Sequence, residues 1–372
     1  MQSDKDRPQT RESVSGGRII GFDLARAVAV FGMILVNYRI VMAMPAMEPA
    51  WLAWIMESME GRAAALFVVL AGVGMSLMTA RARRTGDGAA LCRQRLHLFR
   101  RAFWLFLFGL AFLPFWEADI LHFYGVYIAV GTLLIAVRGG VLLSAGVVSI
   151  LGFCLLYLEF DYGAGWDWKA LSYQGYWTVD GMVRHLFFNG FHPVFPWLAL
   201  LLLGIWLGRQ DLRQPQTQKR ILLAACGMVV FSHALSNRLS AWLAALSPPA
   251  DPVIYLTAMG AIPPSPFYLF STGGTALLVI TACVRISRHM DPGHGLVRAI
   301  TATGRQSLTL YIGHILVGMP CFAALGLLEN RSLPFSLAAG FLVCLLSVVF
   351  STAWERYIGR GFLETLLRRL AG

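Results

Sequence analysis

The chain has 372 residues, of which 57% are hydrophobic and only 14% are charged. Soluble domains carry about 25% charged residues, so the composition excludes an ordinary soluble protein. The net charge of +11 would suggest a nucleic-acid partner in a soluble chain. No nucleic-acid-binding motif accompanies that charge, and basic loops facing anionic membrane lipid account for it. We therefore expect membrane lipid, and no nucleic acid, as a partner.

Ten apolar runs are long enough to span a bilayer, because a membrane helix needs about 20 residues. The runs cover residues 20–41, 62–81, 99–116, 120–137, 140–159, 189–207, 221–245, 265–284, 306–326 and 335–354. They predict an all-α fold, a polytopic integral membrane helical bundle with about ten transmembrane helices.

Basic residues are concentrated in alternate loops between these runs. When the N-terminus is placed in the cytoplasm, 25 of the 31 Lys and Arg residues fall on the inner side. Positive charge stays on the cytoplasmic side during membrane insertion. The pattern therefore predicts that both termini are cytoplasmic and that the protein is integral to the cytoplasmic (inner) membrane.

The remaining segments indicate one domain. Residues 1–18 are polar and resemble no cleavable signal peptide, so we expect a disordered cytoplasmic N-terminus before a single transmembrane helical domain over residues 19–372. The six Cys residues have no CxxC spacing, which predicts neither a disulfide framework nor a metal site. The longest outer segment, residues 160–185, is aromatic and mildly acidic. It fits either a cover over an outward cavity or a plain interfacial aromatic belt.

Polar residues inside the membrane runs mark candidate sites, because each one is costly there unless it is paired or hydrated. In the first run, Asp23 and Arg26 are three residues apart and can pair across one turn. Asn37 follows Arg26 after nearly three turns, on nearly the same face. This stripe is either part of a site or a structural ion pair with a packing Asn. In the seventh run, His233 and Asn237 share a face, for which we expect interhelical hydrogen bonds.

Three membrane histidines are candidate general bases. His122 follows Asp119 by three residues, and a neighbouring carboxylate can fix the imidazole tautomer and raise its basicity. The alternative is a capping Asp beside an interfacial His. His192 adjoins two prolines that should break the helix, where it faces a cavity or forms a structural turn. His314 lies deepest, two turns after Ser307, and is a functional or a packing histidine.

A set of short motifs extends over almost the whole chain. They are GFDLAR at 21–26, LVNY at 35–38, LFVVLAGVG at 66–74, FPW at 195–197 leading to LGR at 207–209, GRQSLTLY at 304–311 and the tail at 360–369. In these motifs the chain resembles the YeiB-like bacterial membrane proteins, related to the heparan-α-glucosaminide N-acetyltransferases in a wider transmembrane acyltransferase superfamily. The animal enzymes carry a His shortly after the Asn of their Val-Asn-Tyr motif, whereas this chain has none between Asn37 and Arg62.

The resemblance implies an acetyltransferase-like integral membrane acyltransferase. Its donor would be cytoplasmic acyl-CoA, most simply acetyl-CoA, and its acceptor a small molecule or glycan, such as a sugar, at the outer side. The charged residues expected to bind the donor on the inner side are Asp23, Arg26, Arg83, Arg84, Arg100, Arg101 and Arg305. As catalytic base we rank His122 first, with Asp119 beside it, then His314, then His192, while Asn37 would stabilise the oxyanion.

Two other classes of protein fit the same features. One is a transporter or flippase of a small anionic or lipid-linked molecule, and the other is an interaction protein without chemistry. A transporter often has broken helices in two matching halves, but only residues 192–197 are interrupted by prolines in this way. The sequence leaves open the acyl group, the acceptor and the oligomeric state, with a homo-oligomer as one option.

Overall fold

A computed structural model describes residues 19–44, 49–246 and 252–372, and the predicted disordered N-terminus lies outside them. The helices are α1 (Ile20–Met42), α2 (Ala50–Met59), α3 (Arg62–Thr85), α4 (Gly88–Phe112), α5 (Leu121–Leu133), α6 (Gly139–Glu159), α7 (Val179–Arg184), α8 (Val194–Leu207), α9 (Pro215–Ala244), α10 (Pro252–Thr257), α11 (Pro266–Ile286), α12 (Gly295–Arg305), α13 (Ser307–Gly313), α14 (Met319–Ala324), α15 (Leu333–Tyr357) and α16 (Phe362–Ala371). Short elements complete them: π-helical segments at His185–Asn189 and His314–Gly318, a 3-10 turn at Ser287–His289, and an antiparallel pair of strands, β1 (Trp166–Asp167) and β2 (Ser172–Tyr173).

Each predicted apolar run corresponds to a helix. Within the described residues, seven helices are long and apolar enough to cross a membrane, or eight if one bent pair is a single span. The remaining two runs fall on α4, which carries Arg95, Arg100 and Arg101, and on α5, which has only 13 residues. The chain is thus an all-α polytopic membrane protein. The count of ten crossings and the cytoplasmic position of both termini stay predictions.

The sixth run is broken where its prolines lie. The segment Val179–Asn189 meets α8 at an angle of 52°, and Phe195 within α8 has extended backbone angles. The predicted break beside His192 is therefore confirmed. Proline causes such a break because it has no N–H to donate and its ring clashes with the preceding turn.

Helix α1 lies at the centre of the bundle. It packs against α3, α11, α12 and α15, and its small residues Ala25, Ala27 and Ala29 are fully buried. Small side chains let membrane helices approach closely. By contrast, only 28% of the most apolar stretch of α6 and 22% of that of α9 is buried. These two helices therefore form the periphery that would face lipid.

Helices α4 and α5 form a tightly packed hairpin. A Cβ atom added at Gly109 would lie 2.1 Å from the backbone nitrogen of His122, so only glycine allows this approach. The contact fixes the start of α5, and with it Asp119 and His122, against α4.

Candidate active site between two cavities

An outer cavity of about 550 Å³ opens at the end of the bundle that the charge pattern assigns to the outside. Most of its lining is apolar, from α1, α3 and the loop before α5. Its polar lining includes Asn37, Glu60, Glu117, His192, Tyr268 and Tyr311. Burial raises the pKa of the Glu117 carboxyl above its usual value.

An inner cleft lies at the opposite end of the bundle. It consists of two adjoining cavities of about 150 and 310 Å³, which share Phe67, Arg101, Tyr124 and Ser307. Arg26 lines the first cavity. The second also contains His97, Arg360 and Arg368, contributed by α4 and by the chain's last residues. The cleft is therefore rich in guanidinium groups, which bind phosphate well.

Helix α13 separates the two spaces. Ser307 lines the inner cleft, and Tyr311, one helical turn later, lines the outer cavity. Likewise, Ile120 lines the outer cavity and the next residue, Leu121, lines the inner cleft. One turn of helix rises about 5.4 Å, so residues that line the two spaces lie about one helical turn apart.

His314 follows α13 directly, three residues after Tyr311, and is held at both ring nitrogens. Its Nδ1 lies 3.1 Å from the Leu310 carbonyl oxygen, and its Nε2 lies 3.0 Å from Nδ2 of Asn37. A carbonyl oxygen only accepts, so Nδ1 carries the proton and Nε2 accepts from the Asn37 amide. The neutral ring thus presents a basic nitrogen beside a hydrogen-bond donor, which is the arrangement needed for general-base chemistry next to an oxyanion.

A second network joins Asp119, His122 and Tyr311. His122 Nδ1 donates to Asp119 across 3.0 Å, which confirms the pairing predicted from their spacing. The Tyr311 hydroxyl donates to the other carboxylate oxygen across 3.2 Å. His122 is completely buried, and its Nε2 has no hydrogen-bond partner among the described residues. Like His314, it lines neither the outer cavity nor the inner cleft.

His192 is the third histidine that the sequence indicated as a candidate base. It lines the outer cavity, and its ring packs edge-on against Trp197 with 4.6 Å between centroids. The Tyr127 hydroxyl donates to its backbone carbonyl. His192 therefore faces a cavity and also stabilises the turn before α8.

The basic residues expected at the donor site divide into two groups. Arg26 and Arg101 line the inner cleft, and Arg26 donates to Asp23 across 2.7 Å, as its spacing predicts. Arg305 lies instead between helices. Its guanidinium forms a forked ion pair with Glu355, with a shortest distance of 2.7 Å. The same group lies 3.9 Å from the Asp23 carboxylate.

The other three candidate arginines do not line the inner cleft. Arg83 donates to Ser76 and Thr79 of its own helix. Arg84 and Arg100 are exposed.

Several residues of the site were not among the candidates. Tyr311 bridges Asp119 to the outer cavity, and Ser307 reaches the inner cleft. Arg360 and Arg368 come from the C-terminal segment. The sequence spacing already places Ser307 and Tyr311 two turns and one turn before His314, but it assigns neither of them a role. Nothing in the sequence indicated that the C-terminal segment folds back onto α4.

The fold and site define an all-α membrane protein with polar clusters between two opposed cavities. Residues 18–243 match the family described as heparan-alpha-glucosaminide N-acetyltransferase, catalytic, so the chain belongs to that family. Residues 207–372 match a family described as protein of unknown function (DUF418). The chain is also similar to the uncharacterized protein YeiB of Escherichia coli (strain K12), with 25% identity over 95% of this chain and 96% of that protein. The resemblance to YeiB-like proteins is confirmed, and a transferase of the acetyltransferase type is supported at the level of the family.

Proposed function

We propose that this protein is an acyltransferase of the cytoplasmic membrane that takes an acyl group from cytoplasmic acyl-CoA to an acceptor, such as a sugar, at the outer side. The observation that carries the proposal is the position of α13. It lines the inner cleft through Ser307 and the outer cavity through Tyr311, and it presents His314 to Asn37. Donor and acceptor could therefore meet without either molecule crossing the membrane.

The inner cleft suits the donor. Arg26 and Arg101 line it, as do Arg360 and Arg368. Guanidinium groups bind phosphate oxygens with paired, charge-assisted hydrogen bonds. The phosphates of CoA would lie among these side chains while its thioester extends towards Ser307.

The chemistry would occur beside His314. A hydroxyl or amino group of the acceptor replaces the Asn37 amide as the partner of Nε2 and attacks the thioester carbonyl carbon. The Asn37 amide then donates to the oxyanion. When this tetrahedral intermediate collapses, the C–S bond breaks and CoA leaves as a thiolate. The proton passes from the acceptor to Nε2 and then to the thiolate. The remaining histidines, His122 and His192, stay second candidates for the base.

Calorimetry with purified full-length protein tests the donor site, using acetyl-CoA and longer acyl-CoAs. We expect binding by the wild type, weakened about 10-fold or more in Arg101→Ala, because a hydrogen bond to a charged group contributes about 1.5–3 kcal/mol. Arg285→Ala is the matched control, since it removes an exposed inner arginine that does not line the cleft. If folded protein binds none of these thioesters, the proposal is wrong and the transporter alternative gains support.

A further inference from the structure

A second outer cavity, which we call the aromatic cavity, lies beneath the loop between α6 and α7. Its volume is about 360 Å³, within the range of about 300–1,000 Å³ found for small-molecule sites. Tyr173, Tyr176 and Trp177 line it, and the rings of Tyr176 and Trp177 stand at 83° with centroids 5.1 Å apart. Trp177 retains 66% exposure, so its ring is open to a ligand.

The loop that carries these rings is held in place by Asn189. Its Nδ2 donates to the carbonyl oxygens of Tyr162 and Ala164 at 3.0 and 2.8 Å. Its Oδ1 accepts from the Tyr173 hydroxyl at 3.0 Å, and Arg184 donates to the same hydroxyl at 2.8 Å. A site held in this way loses little conformational entropy when it binds a ligand. The aromatic cavity is therefore preorganised.

Two residues that line this cavity, His185 and Tyr176, are only 1% and 5% exposed. Nδ1 of His185 and the hydroxyl of Tyr176 have no hydrogen-bond partner among the described residues. Buried polar groups nearly always have a partner. Both residues line the cavity, so their side chains are the candidates for bonding a ligand with hydroxyl groups.

The cavity also has a characteristic charge. Glu117 is the ionisable acid among its described lining residues, and no described Lys or Arg side chain lines it. Burial and the nearby Asp119 raise the pKa of Tyr176 to about 12, so its hydroxyl remains a donor. A carboxylate with no lining cation disfavours an anionic ligand.

We propose that the aromatic cavity binds a neutral sugar ring. A pyranose has an apolar C–H face that packs on an aromatic ring and a rim of hydroxyl groups that hydrogen-bond. Trp177 would pack against that face, while Tyr176, His185 and Glu117 bind the hydroxyls. An aromatic wall with a few converging polar groups is the usual composition of a ligand site.

The two outer cavities share Pro114 and Glu117. A chain of at least two sugar units would therefore place one ring in the aromatic cavity and the reacting unit beside Asn37. This extension rests on the proposed function, and it names the acceptor as a neutral oligosaccharide or the oligosaccharide part of a larger molecule.

Binding of neutral trisaccharides to the full chain tests the inference without acyl-CoA. Chitotriose, maltotriose and cellotriose are titrated calorimetrically into purified protein. At least one should bind, and Trp177→Ala should weaken its binding about 10-fold or more. Tyr176→Phe removes one hydroxyl and should weaken binding about 2- to 10-fold, the range of one neutral hydrogen bond. Trp54→Ala, which removes a 70% exposed Trp from α2, should leave binding unchanged.

Absence of binding by all three sugars would overturn the inference. Equal binding by the Trp177→Ala and Trp54→Ala proteins would also overturn it, because Trp177 would then be an interfacial anchor and not part of a sugar site. Tighter binding of a sulfated trisaccharide than of the neutral ones would contradict the inference that the ligand is neutral. Acyl-CoA binding by the same preparations separates the two proposals. Sugar binding without thioester binding contradicts the acyltransferase and retains the sugar site, and the reverse result contradicts only the sugar site.

Discussion

The two side-chain contacts of the site's buried histidines differ in how far apart their residues lie in the sequence. Asp119 and His122 are one turn apart, so their pairing follows from helix geometry alone. Asn37 and His314 are separated by 277 positions. Each was a candidate because polar groups in a membrane are costly, but their contact depends on α1 packing beside α13. This contact favours His314 over His122 as the base, because the Asn37 side chain that it pairs with lines the outer cavity.

Substitution of the histidines tests that preference. We expect His314→Ala to lower acyl transfer about 10²–10⁴-fold, the usual loss for a general base, with a smaller change in melting temperature. His122→Ala should mainly lower stability, by about 1–3 kcal/mol, because it removes a partner of the buried Asp119. Transfer rates and melting temperatures of both variants and of His192→Ala provide the comparison.

The control is His289→Ala, an exposed histidine at the end of α11. A His314→Ala enzyme with the turnover of this control would remove His314 from the mechanism. If His122→Ala or His192→Ala instead abolished turnover at an unchanged melting temperature, that residue would be the base.

At the scale of elements, α13 is the critical helix, and the chain's last helix fixes its start. Glu364 of α16 accepts from the backbone nitrogens of Leu308 and Thr309 at 2.7 and 3.2 Å, and from the Thr309 hydroxyl at 2.5 Å. A carboxylate at a helix N-terminus satisfies free N–H groups and complements the helix dipole. The cytoplasmic tail predicted from charge is thus also a structural part of the site.

The hairpin of α4 and α5 gives a prediction at the same scale. Gly109→Ala should destabilise the protein by about 1–3 kcal/mol or more, because the new Cβ would meet the His122 backbone and force the helices apart. Gly227→Ala in α9 is the matched control. No atom of the described residues lies within 4 Å of its added Cβ, so we expect no loss and a gain of up to about 1 kcal/mol. Thermal unfolding in detergent measures both variants, and equal melting temperatures would contradict the tight contact.

At the scale of the whole molecule, the proposed transfer requires that the outer cavity and the inner cleft face opposite sides of the membrane. The charge distribution predicts cytoplasmic termini and an outer loop at residues 160–185. The test uses intact cells that express the protein with its native Cys residues replaced. An impermeant thiol reagent should label Gln174→Cys and spare Gln216→Cys. Both substitutions replace exposed residues. Labelling of Gln216→Cys alone would invert the topology and place the basic cleft outside.

The sequence by itself determined the class of protein and most of the helices. Apolar length fixes where a chain can span lipid, and spacing within one helix fixes local pairs such as Asp23 with Arg26. Only the tertiary structure decided which distant residues meet. It joined Asn37 to His314, placed Arg305 against Glu355 rather than in the cleft, and folded the C-terminal helix onto α4. Such contacts depend on which helices pack together and at what rotation, and the apolar pattern of a membrane helix, which is hydrophobic on most faces, specifies neither.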